Sequence, residues 1–205
     1  MPKIVDHEKR REDIAHVACQ VIARHGFEQA TVARIARAAG YTTGMVAHYF
    51  ESKQQIVIAA LRLILLRMEQ RLTLKARSGD ADLLSVLSEG LAIDDQRFAE
   101  CAFWTAFWGQ VSVDSTLTRI NASVHAEYLR LYERCLSEYW PESLRWPPRV
   151  RDQVLRSIVT CINGLTTSAV TSRADWPRSK QIDQLRLALD LLKRWALEQS
   201  TKQGH

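Results

Sequence analysis

An all-α fold is predicted here, and three observations predict it. Apolar residues recur at helical spacing along most of the 205-residue chain, no segment shows strand alternation, and glycine and proline number only 8 and 5. An apolar fraction of 46% is enough for a sizeable core.

The elements follow in order. Ile14, Val17, Ala18, Val21 and Ile22 define one face of a first helix over about 8–25, which Gly26 stops and Phe27 folds back on. Thr31 caps a second helix whose buried face is Val32, Ile35, Ala36 and Ala39, and Gly40 breaks the pattern. Thr42 caps a short third helix that closes at Phe50-Glu51-Ser52. Ser52, with Gln55 three residues on, fits a capping box for a long fourth helix over about 53–77. That helix carries Ile56, Val57, Ala60, Leu61, Ile64 and Met68 among a basic series from Arg62 to Arg77, and Ser78-Gly79-Asp80 ends it. Further helices are expected near 80–92, 95–109, 115–139, 148–173 and 178–198. Proline-containing loops at Pro141–Pro148 and Asp175–Arg178 separate the last three.

The net charge of +5 is unevenly placed. Residues 1–77 hold 13 basic and 7 acidic side chains, and the remainder 15 and 16, so the whole basic excess lies in the first third. A basic lobe points to a polyanionic partner, with an ordinary solvated surface as the alternative. The greasiest stretch, Ile56–Leu66, is interrupted by Arg62, so no membrane span is expected. The charged segment Met1–Arg11 does not read as a secretory signal. Cys19, Cys101, Cys135 and Cys161 are too scattered for a zinc site and read as reduced thiols of a cytoplasmic protein. There is no His-Glu-x-x-His, no glycine-rich phosphate loop and no Glu-x-x-His pair, and nothing near Cys101 or Cys161 supplies a base. No catalytic residue, metal or cofactor is therefore expected.

Residues 32–51 meet the demands of a helix-turn-helix. A small residue must sit where two helices cross, and Ala36 does. The turn four positions on needs a residue that tolerates positive φ, and Gly40 is there. The second helix must bury an apolar residue against the first, and Val46 is placed for it. Ile35, Ala39, Tyr49 and Phe50 complete the small core. Such a second helix can lie in the major groove with its N-terminal residues at base edges. A plain helical hairpin inside a bundle satisfies the same pattern.

The stretch from Thr31 to Lys53, with its string His48-Tyr49-Phe50-Glu51-Ser52-Lys53, is similar to the N-terminal signature of the TetR family, as are the helix before it and the His25-Gly26-Phe27 corner. The resemblance covers about residues 8–60. It implies a helix-turn-helix DNA-binding domain over 1–53 and a helical ligand-binding and dimerisation domain over 54–205. It places Thr42, Thr43, Gly44 and Met45 against bases or phosphates, and Tyr49, Lys53 and Thr31 on phosphates, the last two at helix N-termini. His48 reads as a backbone contact or a solvent-facing residue. Arg34 and Arg37 support DNA binding or simply face water. Ala47 stands where the family commonly has an aromatic residue and can touch a thymine methyl group.

In the second domain Phe103, Trp104, Phe107 and Trp108 crowd one helix, the two indoles one turn apart. They form an effector wall able to hold a quaternary ammonium by cation–π attraction, or they belong to the core or a dimer contact. With Asn163-Gly164-Leu165 the run resembles the BetI-like branch, which includes a choline-responsive regulator. Tyr128, Tyr132 and His125 are expected on the next long helix, where they can line the same cavity. Small residues on the last two helices, among them Ser157, Thr160, Gly164, Ser168 and Ala169, fit the family's four-helix homodimer contact. What is implied is a ligand-responsive regulator, a repressor by family analogy, that binds near-palindromic double-stranded operator DNA and is released by a small-molecule effector through the long fourth helix. The alternatives are a helical interaction protein or an activator.

Overall fold

The computed structural model describes residues 3–77, 79 and 81–202. Met1 and Pro2 of the leading segment, and Ser78 and Asp80 of the expected stop after the fourth helix, lie outside the described residues. Among the described residues the chain is all-α, with no strand. The helices are α1 (Lys3–Gln29), α2 (Val32–Ala38), α3 (Thr43–Tyr49), α4 (Lys53–Arg77), α5 (Leu83–Leu87), α6 (Asp95–Val111), α7 (Ser115–Tyr139), α8 (Pro148–Thr171) and α9 (Arg178–Lys202). Short 3₁₀ turns follow α5 at Ser88–Gly90 and α7 at Pro141–Arg145.

Gly26 breaks α1 with φ 78° and ψ 167°, so the long run ends there and one further turn reaches Gln29. α4 opens as expected from Ser52, whose hydroxyl accepts the Gln55 N–H. Gln55 reaches back to the Glu51 N–H, one residue before the position a standard capping box uses. α5 is much shorter than the expected 80–92. Asp82 caps it in a reciprocal box with Ser85, and the chain tightens into the 3₁₀ turn at Ser88.

The chain forms two compact units. One comprises Met1–Arg67 and Ala99–Val124, the other Met68–Phe98 and His125–His205. The first unit has its own core of Ile14, Ile22, Ile35, Ile56, Leu61 and Phe107, each nearly inaccessible. The second is built on Leu87, Leu91, Tyr132, Leu136, Ile162 and Leu185. Within it α8 and α9 form the most extensive helix pair. Gln181, buried on α9, ties that helix to the segment before α6. Its amide oxygen accepts the Ala92 N–H at 3.1 Å, and its nitrogen donates to the Ala92 and Trp176 carbonyls. A fully bonded buried amide fixes a register that apolar contacts alone leave free.

A polar contact joins α1 to α4 in the first unit. Arg67 Nη1 donates to His16 Nδ1 at 2.9 Å, so that nitrogen carries no proton and the imidazole is held neutral. Burial first, and then the Arg67 charge, lower the His16 pKa below its ordinary 6.5, while Glu100, Asp13 and Glu12 oppose the shift. Around pH 6 the folded chain therefore binds fewer protons at His16 than the unfolded chain does. The resulting stability is whole above pH 6.5 and is lost as pH falls from there through the folded value. We predict a thermal midpoint that declines between neutral pH and pH ~5.5. In His16→Gln, which still accepts from Arg67, the decline should be smaller. Identical pH profiles for the two proteins would count against the assignment.

Candidate nucleic-acid interface and effector residues

The corner between α2 and α3 is built from backbone bonds. Gly40 adopts φ 73°, its N–H donates to the Arg37 carbonyl at 3.2 Å, and the Tyr41 N–H donates to Ala36 at 2.9 Å. This is the Schellman closure, which needs a left-handed residue at the position Gly40 occupies. Ala36 is 1% exposed and Val46 is fully buried, so both tightening contacts are made. Thr42 caps α3 by accepting the Met45 N–H at 3.1 Å, and Thr31 caps α2 by accepting the Arg34 N–H at 3.2 Å.

The inward register of Val46 turns the rest of α3 outward. Thr42, Thr43, Gly44, Ala47 and His48 are exposed, Met45 is half-buried and Thr31 is exposed on α2. Arg34 and Arg37 are exposed on the same short helix. Two predicted phosphate partners sit differently. Tyr49 is only 8% exposed, with its ring 4.7 Å from that of His7 and 5.3 Å from that of His48. Arg10 donates to its hydroxyl at 3.4 Å. Lys53 directs its ammonium at the Phe27 carbonyl and over the Phe27 ring, 4.3 Å from the centroid. Desolvation lowers the Lys53 pKa, with Glu28 opposing. Sequence reasoning missed the role of the start of α1. Arg11 donates to the Tyr49 carbonyl and covers the Phe50 ring at 4.3 Å, closing the C-terminus of α3. The adjacent pair Arg10-Arg11 was the available signal, but its target lies 38–39 residues away.

The predicted effector residues divide between the units. In the first, Phe103 and Phe107 are fully buried in the core with near-parallel rings 6.5 Å apart. Trp104 and Trp108 are half-buried, their centroids 5.7 Å apart. In the second, the Tyr128 and Tyr132 hydroxyls lie 2.9 Å apart, and the His125 ring is 6.5 Å from Tyr128. Asn163 is half-buried on α8, where its carbonyl accepts the Thr166 hydroxyl. Burial pushes the Cys19 thiol up to about 12 and the Cys135 thiol to about 11, so neither is a nucleophile at neutral pH. Among the described residues no helix is long and apolar enough to cross a membrane.

A capped helix pair with a glycine corner, presenting the start of its second helix to solvent, is the geometry of a helix-turn-helix. Residues 14–60 match the family model for bacterial regulatory proteins of the TetR family, and residues 80–193 match that for the C-terminal part of BetI-type transcriptional repressors. The HTH-type regulator BetI of Agrobacterium fabrum is 30% identical over 170 residues, covering 80% of this chain and 79% of that protein. The HTH-type regulator PksA of Bacillus subtilis is 31% identical, but the match covers only 52% of this chain and 54% of PksA. A Saccharomonospora viridis protein, titled a transcriptional regulator and solved in complex with choline, shares the fold with a TM-score of 0.74 at 16% identity, covering 89% of this chain and 96% of that one. The chain belongs to the TetR family, in its BetI-like branch, and is a DNA-binding transcriptional regulator rather than an enzyme.

Proposed function

We propose that this regulator is a cytoplasmic repressor that binds a near-palindromic operator as a homodimer and is released by a small-molecule effector. Residues 1–53 act as the reading head and 54–205 as the ligand-binding and dimerisation domain. The observation that carries the reading is the outward N-terminal half of α3, with Thr42, Thr43, Gly44 and Ala47 open to solvent. Met45 and His48 flank these contacts, and Thr31 and Lys53 meet phosphates at helix N-termini. Tyr49 contributes through its hydroxyl and by holding His48. Two heads about 34–36 Å apart reach successive major grooves.

The test is titration of fluorescent promoter DNA from upstream of the chain's own gene. Affinity should fall steeply with salt, and Lys53→Ala should weaken binding about tenfold on any bound sequence with a salt slope smaller by ~1. Salt-insensitive binding, or none, would sink the reading.

Self-association through α8 and α9 is supported by Leu187 and Leu191, 50% and 52% exposed and one turn apart on α9. It is also supported by Gly164 on α8, where an added Cβ meets nothing within 4 Å. Sedimentation equilibrium at micromolar concentration should find a dimer. Leu187→Glu with Leu191→Glu should raise its dissociation constant at least ~10-fold by burying charge. A wild-type monomer at that concentration would contradict the proposal.

For the effector we propose a cation recognised by the half-buried faces of Trp104 and Trp108, with Phe103 and Phe107 behind them. Tyr128, Tyr132 and Asn163 form a separate set of candidate effector contacts, within the second unit. The choline bound by the S. viridis protein makes choline the first compound to test. Calorimetry without heat, together with unchanged DNA affinity, would remove it.

A further inference from the structure

A cleft of about 500 Å³ opens within the second unit, between the end of α4, α5, the segment entering α6 and the start of α9. Its size falls in the range of small-molecule pockets, roughly 300–1,000 Å³. Three carboxylates line it, and each is committed. Asp82 caps α5 through the Ser85 N–H at 2.7 Å. Asp94 accepts the Arg97 N–H at 2.8 Å and faces the Arg97 guanidinium at 3.3 Å. Glu89 is held between Arg97 at 2.7 Å and Arg71 at 3.5 Å.

The basic side is not neutralised in the same way. α9 contributes Arg178, Ile182 and Arg186 at four-residue spacing, hence on one helix face. Among the described residues neither Arg178 nor Arg186 has a carboxylate oxygen within 4.0 Å. Between them Ile182, with Ile93 and Leu84, supplies an apolar floor. Guanidinium groups bind carboxylates with directed paired bonds, and apolar walls select a ligand with a hydrocarbon body. We propose that this cleft binds an amphipathic organic carboxylate, its head between Arg178 and Arg186 and its body on Ile182, Ile93 and Leu84. The face of α9 that carries Leu187 and Leu191 is about half a turn away, so a second copy seated there leaves the cleft open. The site uses none of the aromatic residues proposed for a cationic effector and does not rest on the operator reading.

Equilibrium dialysis of the full chain with octanoate tests it, with octanol as the uncharged control. The variant Arg178→Gln with Arg186→Gln alters two exposed side chains, and an unchanged melting curve shows that it folds. Octanoate should bind the wild type more weakly as ionic strength rises, and its dissociation constant should rise about tenfold in the double variant while octanol uptake stays the same. Equal octanoate affinity in both proteins, or none below about 10 mM, would overturn the site. DNA titration of the same variant separates this outcome from failure of the regulator reading, since neither arginine belongs to the head.

Discussion

Replacing Ala47 with glutamate is expected to lower affinity for promoter DNA by ~100-fold, because a like charge pressed against a phosphate-lined groove costs several kcal/mol. Ala47 is exposed and lies one turn beyond Thr43, so the two share the outward face of α3, while Val46 and Tyr49 hold the inner one. Glutamate is a good helix former and the site is open, so folding should be unaffected. The loss then reads the interface alone. Ala47→Gln separates charge from bulk: if the groove is the cause, glutamine retains most of the affinity that glutamate loses. Anisotropy titrations should show the difference shrinking as salt rises, since screening weakens the repulsion. Wild-type affinity for Ala47→Glu would mean that α3 does not enter the groove.

That face was legible in the sequence because its determinants are local. A capping threonine, a glycine that must take positive φ and a small residue at the crossing fall within a dozen positions, and each is fixed by its neighbours. What was not legible depends on distant partners. Tyr49 turns inward because Arg10 and His7, about 40 residues earlier, pack on it. The aromatic run on α6 divides because Phe103 and Phe107 fall on the core side, while Trp104 and Trp108 are left at its margin. Apolar periodicity alone could not separate those faces, since every position in the run is apolar or small. The shortness of α5 was not legible either: the chain leaves it for the 3₁₀ turn at Ser88–Gly90, and Tyr132 lies against the end of that turn.

That end is the site of the second large effect. A Cβ added to Gly90 would lie 2.3 Å from the Tyr132 hydroxyl oxygen and 3.4 Å from Ile162 Cγ2. Tyr132 is 1% exposed, with its ring edge-on to Tyr128 at 4.6 Å and its hydroxyl 2.9 Å from that of Tyr128. The ring has little room to retreat, so either it or the 3₁₀ turn must move. We expect Gly90→Ala to destabilise the protein by ~1–3 kcal/mol, the usual cost of overpacking a close-fitted core. For a chain of this size the melting temperature should drop ~2–4 °C per kcal/mol. Tyr132→Phe alone forfeits a hydrogen bond, ~1 kcal/mol. It also removes the atom that Gly90→Ala strikes, leaving ring carbon Cζ at 3.6 Å, an ordinary contact. In that background Gly90→Ala should cost almost nothing, because the φ of Gly90 is not positive and alanine restricts the unfolded chain more. The double-mutant cycle should therefore show a coupling of ~1–3 kcal/mol between the two positions. An equal penalty for Gly90→Ala in both backgrounds would place its cost elsewhere and detach Gly90 from the Tyr128–Tyr132 pair.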